Sequence, residues 1–117
     1  MSTSPVYPQA DRELTQMRQN HAPNQFAAFQ QFSQQAFAKG ALDVRTKQLI
    51  AVAVAHVTQC PYCIRGHTKA ALKAGASREQ IMEAVWVAAE MRAGAAYAHS
   101  LLALDTMREE DAKADSA

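Results

Sequence analysis

Cys60 and Cys63 are the only two cysteines of the chain, and His67 follows them in "CPYCIRGH". An α-helix turns about 100° and rises about 1.5 Å per residue. On such a helix the two cysteines fall one turn apart on one side. His67 lies about one turn further on, roughly 40° round from Cys63. Pro61 suits the first position of that helix, which sets both cysteines in its opening turn. Unsatisfied N–H groups and the helix dipole favour negative charge there. A thiol pKa falls in that setting, and the thiolate is the nucleophile. A histidine one turn on can pair with Cys63 or move its proton. Poised thiolate, proton carrier and second thiol together make a nucleophilic thiol site. Two reactions fit it. A peroxide can oxidise one thiolate to sulfenic acid, which the neighbouring thiol converts to a disulfide. Alternatively, the pair exchanges with another protein's disulfide through a mixed intermediate. Both need a reductant from outside the chain.

The same residues carry two other readings. His56, Cys60, Cys63 and His67 are four ligands of types that zinc accepts. Their spacing is compressed, because structural zinc sites separate two ligand pairs by about a dozen residues or more. The other reading is a non-catalytic, oligomeric helical module with the cysteines as small buried hydrophobes. Their position at a helix start beside a histidine, rather than within an apolar face, argues against it.

The elements that must hold these residues are helical. With 117 residues, one domain is the default. Nearly half the residues are apolar, many of them alanine, which favours closely packed helices. The net charge is +1 with basic residues spread along the chain, so no clustered face marks a nucleic-acid partner. No apolar run reaches the roughly 18 residues of a membrane span. Ala84 to Leu104 comes nearest, and Glu90, Arg92 and His99 interrupt it. The start, "MSTSPVYPQA", lacks the basic and apolar regions of a signal peptide. A cytoplasmic protein is therefore expected, in which CxxC reads as redox or metal chemistry rather than a structural disulfide.

Residues 1–10 read as a flexible arm, 11–107 as the helical domain and 108–117 as a charged, frayed tail. Leu14 and Met17 share one face of a first helix, and His21 falls in the loop after it. Pro23 opens a second helix whose stripe of Phe26, Phe29, Phe32 and Phe37 reads as core, with Gly40 as its stop. Asp43 caps a third helix through "VRTKQLIAVAVAHV". The cysteine-bearing helix runs to Gly75. Gly66 inside it costs about 1 kcal/mol against alanine, which a close backbone approach would explain. Ser77 and Gln80 form a capping box for the next helix. Gly94 is expected to break or bend it, with "AAYAHSLLALDTM" as a further helix. The fold class is all-α, with no strand and no repeat. Trp86 reads as packing and Arg65 as a solvated charge. His99 reads as an interior, hydrogen-bonded histidine, or as a residue near the thiols across a subunit boundary.

From Gly40 to Leu104 the chain resembles the alkylhydroperoxidase D-like branch of the carboxymuconolactone decarboxylase superfamily. The resemblance rests on "LDVRTKQLIAVAVAHVTQCPYCIRGHTKAALKAGASREQIMEAV". CxxC alone is common; CxxCxxxH after an apolar helix and before "KAGAS" is specific. The resemblance implies a helical fold packed as a homo-oligomer, a trimer or hexamer. It also implies thiol peroxidase or disulfide-reductase activity, with a peroxide or disulfide substrate and an external thiol reductant protein. No cofactor and no metal are implied. Cys63 matches the peroxidatic thiol, Cys60 its resolving partner and proton donor, and His67 the relay histidine. Relatives that decarboxylate lactones generally lack the cysteine pair, so that activity is not expected. Two positions depart from the pattern. Gln48 stands where the family has a glutamate base, and an amide cannot take a proton at neutral pH. Weak peroxidase activity is the expected result, unless Glu83 or Glu90 serves instead. Tyr62 stands between the cysteines where some relatives carry histidine.

Overall fold

The computed structural model describes residues 6–116. The expected N-terminal arm therefore lies partly outside the described residues. Residues 6–10 are irregular, and five helices follow, with no strand among the described residues: α1 Arg12–His21, α2 Pro23–Phe37, α3 Val44–Thr58, α4 Pro61–Lys73 and α5 Arg78–Ser116. The molecule is all-α, as the sequence pattern requires.

Most helix ends carry the chemistry that local sequence dictates. Asp11 accepts from the Leu14 N–H at 2.8 Å and starts α1. Asp43 accepts from the Thr46 N–H at 2.7 Å and starts α3. Before α5 the capping box is reciprocal. The Gln80 N–H donates to Ser77 Oγ at 3.0 Å, and the Ser77 N–H donates to Gln80 Oε1 at 2.9 Å. Gly75, at φ +96°, closes α4 in a conformation that L side chains rarely adopt. Gln59 does the same work after α3 without being glycine, at φ 58° and ψ 48°.

α3 is the central element, packing against both α4 and α5, which barely touch each other. Val52, Ala71, Ala76 and Ile81 form the core, with Leu49 and Val85 packed on it. Ala55 and Ala88 are buried too, and such small side chains let helix backbones approach closely. Val52 is fully buried, which contributes about 1.5–3 kcal/mol. α2 is tied to this body at one end. Lys47 Nζ donates to the Ala36 and Ala38 carbonyls at 3.0 and 2.5 Å, oxygens left free where α2 stops.

Several expectations are corrected. The Phe stripe of α2 is not core in this chain. Phe29 and Phe32 are about two-thirds exposed, because only the end of α2 meets α3; Phe26 and Phe37 are half-buried. Gly94 does not break the last helix into two. α5 is continuous for 39 residues, and the roughly 1 kcal/mol cost of glycine is spread over a helix rich in alanine and leucine. Residues 108–116, expected as a charged tail, form the last turns of α5. Gly66 faces open space, with no atom within 4 Å of where a Cβ would stand. Trp86 is 70% exposed and packs into no core here.

Candidate thiol site

The αL turn at Gln59 reverses the chain between α3 and α4 and leaves Cys60 extended, at φ −101° and ψ 103°. Cys60 is the N-cap of α4, Pro61 its first residue and Cys63 its third. The cap is made by sulfur: the Cys63 N–H donates to Cys60 Sγ at 3.2 Å. Cys60 and Cys63 are joined as a disulfide, with Cα atoms 5.2 Å apart. Both residues are half-buried, neither in the core nor on open surface.

His67 lies one turn further along α4, also half-buried. Its Nδ1 is 2.8 Å from Gln48 Oε1. Because a carbonyl oxygen accepts, Nδ1 carries the hydrogen and Nε2 is left as the acceptor of the ring. Gln48 is the single buried polar side chain among the described residues, held inside α3 by this bond. Phe37 stacks on the imidazole, with centroids 5.0 Å apart and planes 22° apart. Amide and aromatic ring together fix its tautomer and orientation.

Cys63 and His67 open on one cavity of about 470 Å³, walled by Phe37, Leu42, Ile50 and Val54. Lys47 and Thr58 are its other polar borders, and no carboxylate lines it. Glu83, Glu90 and His99 are exposed on α5 and line no part of it. Glu90 instead lies beside Gly94. His99 is thus not interior in this chain, and neither glutamate is positioned to replace a base at Gln48. Tyr62 points the other way: its hydroxyl donates to the Pro8 carbonyl at 2.7 Å. Arg65 is exposed, as a solvated charge should be. The four residues weighed as zinc ligands do not converge. His56 Nδ1 bonds the Val52 carbonyl at 2.7 Å, His67 Nδ1 bonds Gln48, and the thiols are joined. No three His, Cys, Asp or Glu side chains are grouped to hold a metal among the described residues.

Phe37, Lys47 and the apolar cavity wall were missed by reading the sequence. One signal was present. Lys47, Ile50, Ala51, Val54 and Thr58 recur at helical spacing on α3, beside a second apolar face at Val52 and Ala55. A helix apolar on two faces has more to cover than one core.

Residues 23–106 match the sequence profile of the carboxymuconolactone decarboxylase family. The chain belongs to that family. A family relative from Paracoccus denitrificans, named uncharacterized protein 4 in cox locus, is 69% identical over 84 residues, covering 72% of this chain and 76% of its own. An uncharacterized protein of Haemophilus influenzae is 40% identical over 83 residues, 71% of this chain and 74% of its own. Among solved structures, a carboxymuconolactone decarboxylase family protein from Legionella pneumophila superposes with a TM-score of 0.62 at 38% identity, over 66% of this chain and 70% of that one. A protein from Methanobacterium thermoautotrophicum gives 0.68 at 34% identity, over 71% and 93%. The all-helical fold is therefore the family fold. No helix among the described residues is long and apolar enough to cross a membrane.

Proposed function

We propose that the chain is a thiol oxidoreductase that reduces hydroperoxides or disulfides by cycling the Cys60–Cys63 pair, working as a homo-oligomer with an external thiol reductant. The observation that carries this reading is the joined pair at the start of α4, with Cys63 lining the same cavity as a fixed imidazole. In the reduced protein, Cys63 stands at the third position of α4, where free N–H groups and the dipole favour its thiolate. His67 Nε2 takes the thiol proton. The thiolate attacks the outer peroxide oxygen, the O–O bond breaks, and the alkoxide leaves with the proton that His67 returns. Cys63 is now sulfenic acid. The Cys60 thiolate attacks its sulfur and expels hydroxide, which is protonated to water, and a disulfide remains. Two electrons from the external thiols restore the pair.

The buried-module reading is weakened by position, since neither cysteine belongs to the core. The deciding experiment treats the reduced chain with one equivalent of an organic hydroperoxide and weighs it. An internal disulfide, with loss of two hydrogens, is expected. Unchanged thiols would leave the non-catalytic module as the better account.

A further inference from the structure

The two cysteines line different cavities. Cys63 lines the apolar one with His67. Cys60 lines another, of about 540 Å³, bordered by Pro8, Leu14, Thr15, Arg18 and Tyr62. Its far wall is the arm and α1, which precede the residues matched to the family profile. Tyr62 holds the arm there, through the bond to the Pro8 carbonyl and an edge-on contact with Tyr7 at 6.0 Å. One cysteine of the pair thus lines the imidazole cavity, and the other borders a cleft whose cover comes from the far end of the sequence.

The charged side chains that line the clefts on either side of Tyr62 have one sign. Arg18 borders the Cys60 cleft, and no Asp or Glu does. On the other side of Tyr62, Arg65 and Lys69 border a neighbouring cleft of about 460 Å³, again without an acid. None of these three cations forms a salt bridge among the described residues. The acids of the cover, Asp11 and Glu13, stand at the start of α1 and border neither cleft.

Resting on the thiol-redox reading above, we propose that this cleft admits the reductant, that the reductant is a small thiol bearing a negative charge, and that it attacks Cys60. Its thiolate forms a bond to Cys60 Sγ as the Cys60–Cys63 bond breaks. Cys63 leaves with the electron pair as a thiolate, on the residue that lines the cavity proposed for the oxidant. A second reductant thiolate attacks the reductant's own sulfur in the mixed disulfide. Cys60 leaves as a thiolate and is protonated, and the two reductant molecules depart joined, having delivered two electrons. Oxidant and reductant therefore use opposite sides of one bond. A cavity of this size holds a small molecule, and a bulky protein dithiol would first have to lift the arm.

The test uses the full chain with its pair oxidised by diamide, so that no peroxide chemistry is involved. Reduction by mercaptopropionate, mercaptoethanol and cysteamine is followed by alkylation and mass spectrometry, each rate compared between wild type and variant so that intrinsic thiol reactivity cancels. Arg18→Gln is expected to slow mercaptopropionate about threefold relative to mercaptoethanol, the size of one exposed charge contact. Arg18→Glu should slow it further and favour cysteamine, and added salt should shrink both effects. Acid-trapped mixed disulfide is expected on Cys60, located by fragmentation before Pro61. Mixed disulfide on Cys63, or rate ratios indifferent to Arg18, would overturn the proposal. Were the charge pattern found while peroxide left the thiols unchanged, the peroxide reading would fall and the reductant cleft would stand. The reverse pair of results would remove the cleft alone.

Discussion

On the proposed thiol chemistry, Gln48 is where proton transfer would be decided. Its amide orients His67 and gives the imidazolium no opposite charge. A carboxylate there would accept the same Nδ1–H and favour the protonated ring electrostatically. Gln48→Glu is expected to raise peroxide turnover by about tenfold or more, within the range typical of general acid–base catalysis, and to lower Tm because it places a charge at a buried position. Steady-state rates with an organic hydroperoxide beside a thermal melt check both parts, and an unchanged rate would remove the missing carboxylate as the limit on activity. The cysteines and His67 were legible in the sequence because all three lie within two turns of one helix. The bond from His67 to Gln48 spans 19 residues, and only family resemblance pointed at that position. The Tyr62 bond to Pro8 spans 54 residues and has no local pattern to announce it. Phe37 looked like one more member of an apolar stripe, although its ring rests on the imidazole.

Helix boundaries followed from short-range chemistry, which is why Asp43, Pro61, Ser77 and Gly75 could be assigned correctly beforehand. Hydrogen bonding from Thr46, by its side chain and then its backbone N–H, holds the Asp43 carboxyl below its ordinary value. The folded value lies below the unfolded one. The resulting stability is complete above about pH 4 and disappears as pH falls through the folded value. Asp43→Asn keeps a capping side chain without the charge. Its urea midpoint should lie below that of wild type at neutral pH and merge with it in acid. Gln59 escaped the sequence reading because its strained conformation comes from closing α3 onto α4, not from its side chain. Gln59→Gly removes a steric cost of about 1 kcal/mol and should raise the urea midpoint, while leaving Cys60 at the N-cap. Gly94 shows the opposite limit: propensity marked a weak point, but a helix this long absorbs it.

For the whole molecule, the long dimension is set by α5. Its 39 residues span about 58 Å, most of the 66 Å extent of the described chain. Ile81 and Ala88 face the body. On the opposite side, Trp86, Val87, Tyr97, Leu101 and Leu104 fall within about 60° of one another's mean direction, each more than half exposed. An apolar stripe that runs along the helix and past the body is more than scattered surface hydrophobicity. Copies of the same chain are expected to cover it, together with Phe29 and Phe32 of α2. Light scattering should then give a mass several times 12.8 kDa. Leu101→Asp combined with Leu104→Asp should lower that mass toward one chain, with helicity retained. A monomeric wild type would refute this. The stripe is visible only because α5 runs unbroken through Gly94.

Trp86 is the only indole in the chain, and it lies on that stripe rather than in the core. Its fluorescence should therefore report company, not folding. Dilution is expected to shift the emission to longer wavelength while circular dichroism holds steady, and urea added to the separated chains should move the emission maximum very little.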